Sequence, residues 1–187
     1  MENTAFGSAN TWKGAKVSVE SATGQGAYIV LTREDAKELF SQEGDAAVRA
    51  VAERLRNSQK HINADLVLEC GASWDPIHRS LTDGTLNRDV EDFPLDHCVL
   101  GGRRLYQGND FEAVLIRPDI VPHVAAGLHD MKRAEFTERY MALDPSAYGK
   151  QPTEEEGDET WAMFKLIRQL FEDAGNEHAA VLFTVAR

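Results

Sequence analysis

The sequence predicts an α+β domain in which a small mixed β-sheet packs against several amphipathic helices. Short apolar, β-branched segments near residues 27–31, 111–116 and 179–185 have the length and composition of strands. Longer segments between them repeat apolar side chains at the three- and four-residue spacing of a helix. The 187 residues, 42% of them hydrophobic and 27% charged, suffice for one domain that buries a core without disulfides.

The first 25 residues differ from the rest, and we expect an N-terminal arm or an extra strand there, ahead of a single domain over 26–187. Residues 15–22 alternate Val17 and Val19 with polar neighbours, which is typical of a half-buried strand. The glycines at positions 24 and 26 predict a turn, so that 15–22 and 27–31 would form a hairpin.

Two helices are predicted after the 27–31 strand. Thr32 begins the first, because its hydroxyl and the Asp35 carboxylate have the spacing of a capping box. Gly44 ends this segment, and Asp45 is expected to cap the second helix. The apolar face of the second helix consists of Val48, Val51, Ala52 and Leu55.

A short helix and a long connection occupy the middle of the chain. Residues 64–70 are apolar and form a strand or an extended entry to the helix. Ser73 can cap a helix from Trp74 to about Leu81, and Gly84 can take the left-handed conformation that follows it. Residues 85–110 then form a connection that contains two adjacent glycines.

Two helices are predicted between the 111–116 strand and residue 142. Pro118 and Pro122 confine the start of the first to their neighbourhood, because proline lacks the amide proton that a helix interior needs. The second, at about 133–142, would bury Phe136 and Tyr140 on one face.

The last part of the chain is predicted to contain its most regular helix and its central strand. Residues 153–160 are interpreted as an acidic linker. A strongly amphipathic helix follows and is expected to end at Gly175. Residues 179–185 are continuously apolar, which predicts a central strand that is buried on both faces.

Several segments resemble, in order, the YfbM-like family, known as domain of unknown function 1877. The most specific are the block from Trp74 to Gly84 and the double glycine at 101 and 102. The resemblance implies an α+β fold and carries no established set of catalytic residues. Residues 1–25 have no counterpart, and Pro122 implies a late start for one helix. The matching segments are residues 26–40, 73–84, 93–105, 111–128 and 161–185.

The strongest candidate for chemistry is His78, which shares a helix face with Trp74, Ile77 and Leu81. A histidine titrates near neutral pH and can act as a general base, with Asp75 orienting it or sharing a metal. We favour the alternative, in which His78 points inward, is hydrogen-bonded to the backbone and packs beside Trp74. Its neighbours on that face are residues of the core type.

The glycine-arginine loop at 101–104 is the second candidate. Bare backbone amides next to Arg103 and Arg104 can bind an anion, although two glycines also simply permit a tight turn, which we favour. Trp74, Asp83 and these two arginines are therefore our candidates for binding a ligand or partner.

Other chemistries lack their usual motifs. Cys98 follows His97, but residues adjacent in sequence often point apart, and we interpret Cys98 as a buried apolar side chain. The histidines have no spacing typical of a zinc site, and no metal or cofactor is expected.

A formal net charge of −11 disfavours nucleic-acid binding, which requires clustered Lys and Arg. No apolar segment is long enough to span a membrane, there is no secretory signal, and two cysteines suit a reducing cytoplasm. The leading hypothesis is a non-catalytic module that binds a protein partner, such as a toxin-neutralising immunity protein, with its oligomeric state open. The alternative is an enzyme or small-ligand binder that uses the 74–84 helix and the 101–104 loop.

Overall fold

A computed structural model describes residues 24–186 and confirms the α+β class. Five strands form one sheet in the order β2-β1-β5-β4-β3. Every pairing is antiparallel, so the expectation of a mixed sheet was wrong. Apolar segments indicate burial on both faces but carry no information on strand direction. The strands are β1 (Gln25–Leu31), β2 (Val67–Gly71), β3 (Arg103–Arg104), β4 (Phe111–Ile116) and β5 (Ala180–Ala186).

Helices cover both faces of the sheet and enclose two apolar clusters. On one face, α1 and α2 bury Leu39, Val51 and Leu55 against alternate strand residues such as Leu182. On the other face, the helices α4, α5, α6 and α8 form the larger cluster. The helices are α1 (Arg33–Phe40), α2 (Asp45–Arg56), α3 (Gln59–Asn63), α4 (Trp74–Leu81), α5 (Val121–Asp130), α6 (Arg133–Met141), α7 (Pro145–Tyr148) and α8 (Glu154–Asn176).

The strand β5 is central, as the sequence predicted. It pairs with β1 from Gln25↔Ala186 to Leu31↔Ala180 and with β4 from Phe111↔Ala186 to Ile116↔Val181. Helices on both faces bury its first six residues. The strands predicted at 27–31 and 111–116 are also present, whereas the one predicted at 15–22 lies outside the described residues.

The glycine at position 26 belongs to a strand rather than to the predicted turn. It lies within β1, next to an irregularity in the pairing of β1 with β2. A Cβ atom at Gly26 would lie 2.8 Å from Trp74 Cδ1 and 3.0 Å from Cys70 Sγ. The residue is therefore glycine because the strand passes close to the packed side chains below it.

Two of the predicted helix caps differ in the structure. Thr32 and Asp35 do form the capping box of α1. Asp45, in contrast, is the first residue of α2, and Gly44 precedes it as a cap without a side chain. The Asp45 carboxylate instead accepts hydrogen bonds from the backbone amides of Gln107 (2.9 Å) and Gly108 (2.8 Å). Ser73 precedes α4 but makes no capping hydrogen bond.

The segment 153–160, expected to be a linker, consists of the N-cap residue and the first part of α8. Thr153 Oγ1 accepts from the Glu156 amide, and three glutamates follow in the first turn, where the helix dipole favours negative charge. The glycine within this turn, Gly157, packs on the Tyr140 ring, which an added Cβ would meet at 3.0 Å. Helix α8 continues past Gly175 to Asn176.

Candidate functional site

The helix α4 is the centre of the region that the sequence singled out. All 8 of its residues are buried, between the helices of the larger cluster and the connection that follows α4. Trp74 is fully buried, and its indole Nε1 donates a hydrogen bond to the Gly24 carbonyl at 3.2 Å. Its ring lies 5.9 Å from that of Phe183 in β5. Trp74 therefore joins α4 to the sheet.

The imidazole of His78 lies in this core, with 1% of the residue exposed. Neither ring nitrogen makes a hydrogen bond of normal geometry with the described residues, although the backbone of Asn87 lies near enough to interact with the ring. Burial lowers the pKa of His78 to about 4, although the nearby backbone of Asn87 and the Asp96 carboxylate favour the charged ring. The imidazole is consequently neutral at pH 7.

The Asp75 carboxylate is bound to Arg79 rather than to His78. Arg79 Nε donates to Asp75 Oδ1 at 2.6 Å, and both side chains are buried. Arg79 also donates to the Gly84 carbonyl at 3.1 Å, and its guanidinium lies 5.9 Å from the Tyr148 ring. Gly84 has the predicted left-handed conformation, with φ of +88°. This pair thus holds the end of α4 against the connection.

The backbone of the 101–104 loop passes close to Asp96 and to the strand β4. A Cβ atom at Gly101 would lie 2.8 Å from Asp96, and one at Gly102 would lie 2.6 Å from the Leu115 carbonyl oxygen. The two arginines follow in β3, the edge strand that pairs with β4. Both glycines are therefore required because neighbouring backbone leaves no room for a Cβ atom, a reason that the interpretation as a tight turn did not include.

The two arginines of this loop diverge. The Arg103 side chain is exposed, with its guanidinium 5.7 Å from the Phe40 ring on the α1 side of the sheet. The Arg104 side chain donates to the Gly108 carbonyl at 2.5 Å and faces Glu112, with Nε 3.9 Å from Oε2. The structure does not bring the two guanidinium groups together around one anion.

A buried ion pair that the sequence analysis missed lies under the long connection. Glu112 in β4 is completely buried, and its carboxylate is paired with the guanidinium of Arg88 and faces Arg104. A glutamate inside the otherwise apolar segment FEAVLI was the sequence feature that could have indicated it, because a buried carboxylate requires a cationic partner.

The remaining candidates have local roles. Asp83 is exposed, and hydrogen bonds from the Thr85 hydroxyl (2.8 Å) and amide (2.9 Å) lower the pKa of its carboxyl group. Cys98 is a buried free thiol. Burial raises the pKa of Cys98 to about 12, so this thiol is protonated at neutral pH and is a poor nucleophile.

Two surface depressions are present elsewhere. One, of about 200 Å³, lies at the end of the sheet beside Thr32, Pro118 and His178. The other, of about 420 Å³, lies between α5 and α8 beside Ala126 and His129. Neither is lined by Trp74, His78 or Arg103. Within residues 24–186, no three His, Cys, Asp or Glu side chains are placed to hold a metal ion. None of the helices described there has the length and apolarity needed to cross a bilayer.

An exposed aromatic side chain in the long connection was also missed. Phe93 is 54% exposed, the highest value among the large exposed apolar side chains of the described part. Its ring lies edge-on to His97, at 5.2 Å, and 6.1 Å from His123 of α5. It follows an acidic segment that contains Asp89, Glu91 and Asp92.

Comparisons with known proteins agree with the family resemblance. A family model described as Domain of unknown function (DUF1877) matches residues 24–184. The crystal structure of YfbM from Escherichia coli, a protein of unknown function, is similar with a TM-score of 0.61 and 20% identity, covering 87% of this chain and 99% of that one. This likeness shows a shared fold. No curated protein matches the chain.

Proposed function

The chain belongs to the DUF1877 family, and for this member we propose a non-catalytic role in which an acidic surface binds a protein partner. One observation carries the proposal. The side chains best suited to chemistry, those of α4, lie in the packed core, whereas many acidic side chains face the solvent. The region that resembles the family most specifically is thus used for packing, which leaves the surface for recognition.

The arrangement around His78 is unsuited to acid-base catalysis. A general base has to lie within hydrogen-bonding reach of a substrate, directly or through one water molecule. His78 is 1% exposed, and its burial-lowered pKa of about 4 leaves it neutral. Asp75, the residue that would orient it, is bound to Arg79. These contacts support the structural interpretation of α4.

The charge of the chain supports a basic partner. At a net charge of −11, the surface potential attracts cationic surfaces and accelerates their association. Several exposed carboxylates are neutralised within the chain, as Asp119 is by Arg117 at 2.7 Å and Asp158 by Arg133 at 2.7 Å. Others, such as Asp89 and Glu91, have no ion pair with any described residue. A small acidic module that neutralises a toxin domain in the cytoplasm is the version we favour.

The experiment is capture of partners by the immobilised full chain from the native host, with identification by mass spectrometry and inspection of the neighbouring genes. Association with the purified partner is then measured at about 0.01 M and about 0.15 M salt, between which the screening length falls from about 30 to about 8 Å. We expect the association rate to fall severalfold. An association rate that does not depend on ionic strength would contradict the proposal. Turnover of a substrate by the chain alone would contradict it as well.

A matched variant distinguishes the effect of particular surface carboxylates on the association rate from the effect of net charge. Asp119→Asn removes one negative charge at a carboxylate that is already bound to Arg117, and it is the control for a loss of net charge alone. Neutralising Asp89 and Glu91, which lack such partners, should slow association more per charge removed. Equal effects of the two changes would mean that only the total charge matters.

A further inference from the structure

We propose that Asp89, Glu91, Asp92 and Phe93, here called the Phe93 surface, bind an arginine- or lysine-rich segment of a protein partner. The inference rests on the proposed function and names the contact that would carry it. It combines an exposed aromatic ring, a loop packed on α5 beneath it, and carboxylates that form no ion pair within the described part of the chain.

The Phe93 ring is exposed in a defined orientation. Its exposure of 54% costs hydrophobic free energy that burial against a partner would recover. The edge-on contact with His97 at 5.2 Å and the contact with His123 at 6.1 Å fix one side of the ring. A ring that is already oriented loses little conformational entropy on binding, which is a property of residues that dominate interfaces.

The backbone under Phe93 is held by α5 and by the loop itself. Gly127 of α5 leaves space for Pro94, whose Cγ would lie 2.7 Å from a Cβ atom at position 127. The Asp92 carbonyl accepts hydrogen bonds from the amides of Leu95 (2.8 Å) and Asp96 (3.2 Å). The part of the Phe93 surface from Asp92 to Phe93 is therefore held in place next to a helix.

The carboxylates of the Phe93 surface are stabilised neither by ion pairs within the described residues nor by the N-terminus of a helix. All three are exposed, and none forms an ion pair with any residue of the described range. The other dense acidic segment, Glu154 to Glu156, lies in the first turn of α8, where the helix dipole stabilises it. Three uncompensated charges within four residues repel one another, and a cationic partner would relieve that repulsion.

This combination suits Arg and Lys side chains. A guanidinium or ammonium group over an aromatic face gains a cation–π interaction, and adjacent carboxylates accept its hydrogen bonds. Arg103 over Phe40 shows the same contact within this chain, at 5.7 Å. A nucleic acid would be repelled by the same carboxylates, so the partner is a basic protein segment.

The test is an NMR titration of the isotope-labelled full chain with an acetylated tetra-arginine amide. Tetra-citrulline, of similar shape without the charge, is the control peptide. We expect saturable shifts of the amides of residues 89–97, reached at a lower peptide concentration than any shift in residues 154–159. Absence of saturable shifts in 89–97, or equal affinity at 154–159, would overturn the proposal.

Variants then distinguish the contribution of the Phe93 ring to binding from that of the neighbouring carboxylates. Phe93→Ala should weaken tetra-arginine binding about two- to five-fold, the effect of one exposed cation–π contact. Replacing Asp89, Glu91 and Asp92 together by Asn, Gln and Asn should weaken it further and flatten its salt dependence. Phe40→Ala removes a ring that is 49% exposed and already covered by Arg103, and it should leave binding unchanged. An equal loss in Phe40→Ala would overturn the assignment to Phe93.

The captured partner distinguishes this inference from the proposed function. A partner that binds Phe93→Ala as tightly as the unmodified chain would refute the Phe93 surface and leave the protein-binding role intact. Failure to capture any protein, combined with tetra-arginine shifts confined to 89–97, would refute the role and leave the surface as a cation-binding feature.

Discussion

His61 Nε2 of α3 lies 2.9 Å from Asp35 Oδ2 of α1, and both side chains are almost completely enclosed. The same carboxylate oxygen accepts from the Thr32 amide (3.0 Å) and hydroxyl (2.7 Å). Burial raises the pKa of Asp35, but the hydrogen bonds from His61 and Thr32 outweigh it and lower this pKa below its ordinary value. One carboxylate thereby begins α1 and connects it to α3.

Asp35→Ala is expected to destabilise the protein by about 2–3 kcal/mol. It removes the acidic half of the capping box, which accepts hydrogen bonds from the Thr32 amide and hydroxyl, and leaves a buried imidazole without its partner. Glu34→Ala, at an exposed position in the same turn, should change stability by less than about 0.5 kcal/mol. Denaturant midpoints of the two variants compare the effects, and equal midpoints would contradict the role of Asp35.

His78 is the residue on which the structural and enzymatic hypotheses divide. His78→Ala should cost about 1–3 kcal/mol through the cavity it leaves, whereas His78→Leu should cost less, because it refills the cavity and loses no hydrogen bond of normal geometry. Partner binding by both folded variants should be unchanged. A fully stable His78→Leu protein that has lost its function would instead support the enzyme or small-ligand hypothesis.

Acid should weaken the fold partly through His78. Its folded-state pKa of about 4 lies below the ordinary value, so the unfolded chain binds the proton first as pH falls. The contribution of neutral His78 is complete above about pH 6.5 and is lost as pH falls towards 4, by up to about 3 kcal/mol. The free energy of unfolding, measured near pH 7 and near pH 5, should therefore fall less in His78→Leu than in the unmodified protein. Parallel pH profiles would show that His78 is not buried in its neutral form.

Glu112→Ala should be among the most destabilising single changes. It removes the buried carboxylate that faces the guanidinium groups of Arg88 and Arg104, which are 31% and 27% exposed, so the cost should lie near the lower end of the range for a broken buried ion pair, about 3 kcal/mol. Glu53→Ala removes a glutamate that forms an exposed ion pair with Arg49, and it should cost less than about 1 kcal/mol. Thermal unfolding of both variants tests this, and a Glu112→Ala protein with an unchanged midpoint would refute it.

Truncation after Gly175 should abolish folding, because it removes the strand that pairs with both β1 and β4. Removal of Arg187 alone is the control and should leave a cooperative thermal transition. A soluble chain of residues 1–175 with the native transition would contradict the central position of β5.

Features that depend on neighbours in sequence could be predicted, and features that depend on distant partners could not. The capping box joins Thr32 and Asp35, which are three positions apart, and the alternatives to it are few. Asp45 has the composition of a cap, yet its hydrogen-bond donors lie 62 and 63 positions away, in the long connection. The spacing around the residue therefore predicted the wrong partner.

In the candidate site, too, sequence spacing predicted local features but not contacts with distant residues. The apolar face of α4 was visible in the spacing of Trp74, Ile77 and Leu81, and all three are buried. The contacts of the His78 ring were not visible, because they depend on where the connection passes over α4. The pairing of Glu112 with Arg88, 24 positions away, likewise follows from topology.

The central strand also determines when the domain can fold during synthesis. Strand β5 follows β1 and β4 in the chain and is the strand that joins them. A ribosome that has already produced β4 still has α5 to α8 to translate before β5 emerges, which takes several seconds at about 5–20 residues per second. In that interval β1 and β4 each present an apolar edge with unpaired backbone groups to other nascent chains. A translational pause before residue 180 would prolong this exposure and should lower the yield of soluble protein.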